Sequence, residues 1–390
     1  MFTRSKAFLA RRMLKRIPLI LFPTLFVTST GFSQTPIDVN SINASYEAAT
    51  NSTNSSTAKT LCGVSSIKCG EPYTETYGAS DGVNQGNLVL SASNAFSILG
   101  SPYNLKFESK DVSYQRVNNP VSMTTGVDLI HYESGVVNSV GEPNNTIDIL
   151  PSKQATSVDV IKDRVLNDGN ESIFHNYRTS YQLVNTDVER IDFIFKAGMK
   201  TPTPQNAGFL VAERGGNDNI KLAAITKLSN LGSPEEYGDL SLISSNDWAI
   251  GINRLLQTMS FVSDDNGANY GPFAANSQQY LNANFMSLQD LGVAPDQVIY
   301  GYSIFPADVD PVANPAHNLA DPSTFPNNTA GTNGGLDLIY GSGAFDNDNK
   351  LALLPSANAN AIPSLSTYGL ILLSLLLFGF SRKLSLTVIR

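Results

Sequence analysis

Arg190-Ile191-Asp192-Phe193-Ile194-Phe195 alternates, the two-residue period of a strand with one buried face. Further on, Gly208-Phe209-Leu210-Val211-Ala212-Glu213 and Ile220-Lys221-Leu222-Ala223-Ala224-Ile225-Thr226 flank Arg214-Gly215-Gly216-Asn217-Asp218-Asn219. That arrangement reads as two strands joined by a glycine-rich turn, with Gly215 and Gly216 at positive φ. Runs of the same kind recur at 88–90, 104–107, 127–132, 146–150, 181–184, 188–195, 240–243, 259–262, 298–305 and 336–340, each bounded by turn residues. Helical stretches are few; 157–165, 247–256 and 285–291 are the candidates. About a dozen strands with little helix predict an all-β exported domain of sandwich or jelly-roll-like architecture.

Composition supports a secreted β-protein. The body is rich in Asn, Ser, Thr and Gly, with frequent Val, Ile, Tyr and Phe. All 34 acidic residues lie within 35–361, which holds 17 of the 26 basic ones, so that segment carries a net charge of −17. A surface this acidic repels nucleic acid and anionic lipid and tolerates divalent cations.

The two ends explain where the basic residues went. Residues 1–16 hold six Lys or Arg and no acid, 17–27 is apolar, and small residues follow at Ser29, Gly31 and Ser33. This is a secretory signal peptide over 1–33, which implies passage through the Sec machinery and removal by signal peptidase. At the other end no charge falls between Lys350 and Arg382. Residues 362–380 make a 19-residue stretch, close to the length of apolar helix that spans a bilayer core. The basic pair Arg382 and Lys383 would hold its far end on the cytoplasmic side.

A simple stop-transfer helix does not require what precedes it. Ile362, Pro363, Ser364 and Leu365, then Tyr368 and Gly369, stand immediately before the apolar run. This arrangement resembles the IPTL-CTERM sorting signal of Gram-negative bacteria, with Ser364 where Thr is usual and Tyr368 where Trp is usual. The resemblance implies a transient anchor in the inner membrane, cleavage by an exosortase-type transpeptidase, and delivery to the cell envelope or surface.

Between these ends, 34–60 is polar enough to read as a flexible linker. The β-rich exported domain is expected over 61–345, in one lobe or two, followed by a stalk over 346–361 and the sorting signal with its transmembrane helix over 362–390. Gly126-Val127-Asp128-Leu129-Ile130-His131 and Gly335-Leu336-Asp337-Leu338-Ile339-Tyr340 echo each other, and 314–335 reads as a long surface loop. The order of 146–151, 163–165, 208–218, 299–309, 325–329 and 334–339 is similar to an uncharacterised module of large bacterial surface proteins, which implies a surface protein without specifying a ligand.

Chemistry-bearing residues are sparse. Cys62 and Cys69 are the only cysteines and in an exported chain are expected as one disulfide. His131, His175 and His317 are too few and too scattered to suggest a metal centre or triad. Calcium is the cofactor that the sequence favours, because it takes oxygen ligands from loops. Asp264 and Asp265, Asp308 and Asp310, and Asp346 and Asp348 offer such oxygens, without the EF-hand's twelfth-position Glu. The leading expectation is therefore a non-enzymatic exported envelope protein for adhesion or for association with surface glycan or matrix. The alternatives are an exported carbohydrate-active enzyme on a β-sandwich and a self-associating structural envelope protein.

Overall fold

The computed structural model describes residues 37–47, 79–80, 85–117, 127–137, 161–162, 164–166, 168–170, 172–175, 188–248, 255–264, 270–275 and 279–355. In chain order its strands are β1 (Ile37–Asp38), β2 (Ser41–Ile42), β3 (Ala44–Glu47), β4 (Ala79–Ser80), β5 (Gln85–Leu90), β6 (Phe96–Ile98), β7 (Ser101–Glu108) and β8 (Asp111–Arg116). Then come β9 (Val127–Val137), β10 (Asp168–Asn170), β11 (Val188–Lys200), β12 (Ala207–Arg214), β13 (Ile220–Leu228), β14 (Pro234–Tyr237) and β15 (Ser241–Ile243). The last are β16 (Leu255–Asp264), β17 (Tyr270–Ala275), β18 (Gln279–Ser287), β19 (Ile299–Pro306), β20 (Leu338–Tyr340), β21 (Gly343–Asp346) and β22 (Ala352–Leu353). Among the described residues there is no α-helix, only short 3₁₀ turns, so the described part of the protein is all-β.

Two large sheets carry the fold. The twelve-stranded sheet runs β10-β9-β16-β18-β12-β21-β7-β6-β2, with β1 beside β18, β17 beside β16 and β20 beside β12. The seven-stranded sheet runs β14-β13-β19-β11-β22, with β15 beside β13 and β8 beside β11. A smaller sheet is β3-β5-β4.

The core between the two large sheets draws Phe209, Val211, Met286 and Ala344 from one side and Ile191, Phe193, Leu222, Tyr302 and Ile304 from the other. Strand β12 also has its opposite face covered. Leu210 and Ala212 join Leu88, Leu90, Phe96, Leu281, Phe285 and Phe345 in a second core. All eight residues of β12 are consequently buried, which is why its sequence is nearly continuous in apolar residues instead of alternating. Each such large apolar side chain contributes roughly 1.5–3 kcal/mol when fully buried.

The glycine-rich turn forms as expected, with Gly215 at φ 106° and Gly216 at φ 67°. Its strands do not pair with each other. β12 pairs with β18, β20 and β21, whereas β13 pairs with β14, β15 and β19. The turn is thus a corner that carries the chain from one sheet to the other.

Four further expectations need correction. Arg190 and Asp192 alternate with Ile191 and Phe193, but both faces of β11 are buried there. The polar pair is tolerated because its two charges meet. Within the stretch read as a flexible linker, 37–47 forms β1 to β3. These short strands bury little, as the alternate exposure of Ser41, Asn43 and Ser45 indicates, so the polar sequence conceals them. The spacing of Phe285, Leu288 and Leu291 mimics a helix, but β18 continues through Ser287 and a turn follows. Asp290 fixes that turn by accepting from the Ser287 hydroxyl at 2.6 Å and the Ser287 amide at 3.2 Å. Finally, the stalk expected from 346 does not begin there, because Asp346 is wholly buried in β21 and β22 pairs with β11.

Candidate functional site

The last strand leads to the segment that the sequence marks for sorting. On one edge of β11, β8 covers Val188 to Ile194 and β22 covers Met199 and Lys200. Between those two contacts β11 is irregular, and Gly198 takes φ 74°. The Leu354 amide donates to the Gly198 carbonyl at 2.9 Å, so the chain remains attached until just before Pro355. Beside it lies an open depression of about 480 Å³, lined in part by Glu108, Lys110, Asp111, Phe195, Lys196 and Leu353. Its rim charges already pair, Lys110 with Glu108 at 3.2 Å and Lys196 with Asp111.

The turn between β21 and β22 contains Asp346 and Asp348. The Asp346 Oδ2 accepts from the Leu351 amide at 2.9 Å. The Asp348 Oδ2 accepts from the Thr203 hydroxyl at 2.6 Å and Asn206 Nδ2 at 3.0 Å, with Lys350 Nζ at 3.3 Å. Burial alone would raise the Asp348 pKa, but the hydrogen bonds from Asn206, Thr203 and Lys350 prevail and hold it below the usual range. Asp346 closes the turn on itself and Asp348 staples it to the loop before β12.

Asp308 and Asp310 act in a second loop, 307–336, which lies across the outer face of the seven-stranded sheet. Phe325 from this loop packs on Phe305, Ala223 and Val309. Asp308 Oδ2 accepts from the Thr329 hydroxyl at 2.9 Å, and burial raises its pKa. Asp310 Oδ1 accepts from the Val312 and Ala313 amides, both at 2.9 Å, and the Ala313 amide is the main cause of its lowered pKa. The Asp310 amide in turn donates to His317 Nδ1 at 2.9 Å.

Under the loop, Arg190 meets Asp192 through Nε at 2.7 Å and Nη2 at 3.1 Å, while its Nη1 donates to the Leu319 carbonyl at 2.7 Å. Ser303 donates to Asp192 Oδ1 at 2.6 Å, leaving its oxygen to accept from the Tyr237 hydroxyl at 3.0 Å. Gln115 Nε2 donates to Asp192 Oδ2 at 2.9 Å. The network joins four strands to the loop through one carboxylate.

A third cluster sits at the corner between the sheets, and sequence reading did not single it out. Glu213, the penultimate residue of β12, has no exposed surface, Asp218 lies in the turn at 3 % exposure, and Asp337 precedes β20 at 7 %. Arg214 Nη2 binds Asp337 Oδ2 at 2.7 Å. The Ser172 amide donates to Asp337 Oδ1 at 2.9 Å, and Asn217 Nδ2 to Asp218 Oδ2 at 3.0 Å. Trp248 Nε1 donates to the Asp218 carbonyl at 2.6 Å. No donor reaches either Glu213 oxygen with hydrogen-bond geometry. The only hint in the sequence is an acid closing an apolar run.

The four described calcium candidates therefore do not gather. Asp308 with Asp310 and Asp346 with Asp348 serve separate loops, the Asp264 backbone ends β16, and Asp265 lies outside the described residues. Among the described residues no three His, Cys, Asp or Glu side chains come together to hold a metal ion. Cys62, Cys69, the expected signal peptide at 1–33 and the residues Ile362, Pro363, Ser364, Leu365, Tyr368, Gly369, Arg382 and Lys383 also lie outside them. No helix among the described residues is long and apolar enough to cross a membrane.

The chain is thus an all-β body followed closely by a C-terminal export signature. That signature is an IPTL-CTERM motif, matched by residues 360–382. It is a sorting signal of the kind processed by exosortase-type enzymes, and it marks the protein for export toward the cell surface. No curated protein and no solved structure matches the chain.

Proposed function

We propose that this is a non-enzymatic envelope protein of a Gram-negative bacterium, held briefly in the inner membrane by its tail. An exosortase-type enzyme then processes it and releases it to the surface, where the β-rich body serves adhesion or association with extracellular matrix or polysaccharide. The carrying observation is the sorting motif at 360–382, which begins after only residues 356–359 beyond the described body. Four residues reach ~14 Å at full extension, so the body travels close to its own cleavage site. The assignment of the loop aspartates to turn stapling also favours a structural body over a catalytic one.

The test is fractionation of cells expressing the wild type and a Pro363→Ala, Gly369→Leu variant, with the mature C-terminus read by mass spectrometry. The expected result is wild-type protein on the outer surface ending near Ile362, with the variant retained uncut in the inner membrane. Retention of Arg390 in both would make the tail an ordinary anchor and overturn the sorting step. Whole cells should then bind extracellular polysaccharide in a manner that depends on the surface-delivered protein; equal binding without it would remove the adhesion role.

A further inference from the structure

Three carboxylates and one guanidinium meet at the corner that joins the two large sheets. Arg214 answers Asp337. Glu213 and Asp218 then meet side chain to side chain, both almost fully buried, with only the Gly216 amide nearby as a donor to Glu213. Two ionised carboxylates in that position would each lose their hydration and repel one another. One proton between them resolves both costs, because the protonated acid donates to the ionised one. Gly335 confirms how closely this corner is packed: a Cβ there would come within 2.3 Å of Asp218 Oδ1.

We propose that Glu213 and Asp218 share a proton and form a pH-sensitive latch on the 214–219 corner, closed at acid pH and loosened as the pH rises.

The charged and titratable groups around the pair come from every packed element. They are Arg214 on β12, Asp337 before β20, and His175 on the 172–175 turn, whose backbone lies against Gly334. Arg214 is occupied by Asp337, and burial holds His175 below its usual pKa, so it supplies little positive charge here. Burial first, and then the Asp218 and Asp337 charges, push Glu213 well above the usual range; the nearby Gly216 amide opposes this only in part. Asp218 rises to about 6, also through burial, with contact to Glu213 and Arg214 pulling the other way.

Both acids titrate higher in the folded protein than in the unfolded chain. Their contribution to stability is therefore full below the ordinary carboxylate range. It is lost as the pH climbs from that range to the folded-state values, by about 6 for Asp218 and at a higher pH for Glu213.

The corner contains its own reporter. Trp248 is the chain's single tryptophan, and its indole N–H is bonded to the Asp218 carbonyl. The purified full chain should show a Tm that falls as the pH rises above the ordinary carboxylate range, and a red shift of tryptophan emission as the pH rises past about 6. In Glu213→Gln the amide replaces the protonated acid and donates to Asp218, so both changes should be lost. In Asp218→Asn the new amide donates to Glu213 and lets it ionise, again flattening the response. Wild-type emission that does not move over this range overturns the latch, even if neither variant folds. A variant that folds and keeps the full wild-type response also overturns it.

Discussion

Phe209 and Tyr302 stack with ring centroids 4.3 Å apart and planes 23° from parallel, and they come from opposite sheets. Phe193 stacks on the other side of Tyr302 at 4.9 Å. The Tyr302 hydroxyl donates to the Gly341 carbonyl at 2.5 Å. Burial raises its pKa, so the donor persists into alkaline solution. One side chain therefore fills the space between the sheets and also ties down the link from β20 to β21.

The two roles of Tyr302 separate by mutation. Phe209→Ala empties the stack and should lower the unfolding free energy by about 3–5 kcal/mol. Tyr302→Phe keeps the ring but leaves the Gly341 carbonyl buried without its donor, at a cost of about 1–3 kcal/mol. Urea unfolding of the purified chain measures both. A Tyr302→Phe loss as large as that of Phe209→Ala would assign the stabilisation to the hydroxyl instead of the stack.

The Arg190–Asp192 pair should behave as a buried ion pair. Asp192→Ala strands a guanidinium and removes the acceptor of Ser303 and Gln115, with an expected loss of about 3–5 kcal/mol. Arg190→Met strands the carboxylate, with a similar loss. The double variant should lose clearly less than the two single losses added together, because no charge is left unpaired. Strict additivity in a double-mutant cycle would mean that the two groups are solvated in the folded protein.

The strands themselves were largely legible. Period-two patterning and turn residues located β5, β7, β9, β11 to β13, β15, β16 and β19, because those signals are local. Layering was not legible. β12 and β13 flank a turn that looks like a hairpin, yet its Gly-Gly pair turns the chain between sheets, and no local pattern distinguishes the two outcomes. The buried acids were missed for a related reason: Glu213 looks like the polar end of a strand until Asp218 and Asp337 are brought against it from elsewhere in the chain. The calcium residues illustrate the converse. Asp-rich loops were easy to find, but whether their oxygens remain free depends on Thr203, Asn206 and Thr329, which are distant in sequence from the aspartates they bond.

Gly301 should be irreplaceable. It lies in β19 opposite Ile194 with φ 122°, and a Cβ there would come within 1.9 Å of the Phe193 carbonyl oxygen. That atom belongs to the neighbouring strand's backbone and cannot rotate away. Gly301→Ala should push β19 from β11 in the middle of the seven-stranded sheet and prevent accumulation of folded protein. Soluble Gly301→Ala with a wild-type Tm would show that the two strands can separate there without loss.

The final strand sets where the described body ends ahead of the sorting motif. Leu354 is held by its amide bond to the Gly198 carbonyl, and the motif begins at residue 360. Leu354→Pro removes that donor. β22 contributes only Ala352 and Leu353 to the sheet, both exposed, so the body should stay folded with little change in Tm. The segment after Asp346 should become easier to cut by added protease. On the proposed function, an enzyme acting at the motif beside the membrane gains clearance when the tether of chain freed from the body lengthens. The ratio of mature to precursor protein in a pulse-chase should therefore rise in Leu354→Pro. An unchanged ratio, in a variant whose C-terminal segment has become protease-sensitive, would show that the tether does not limit processing.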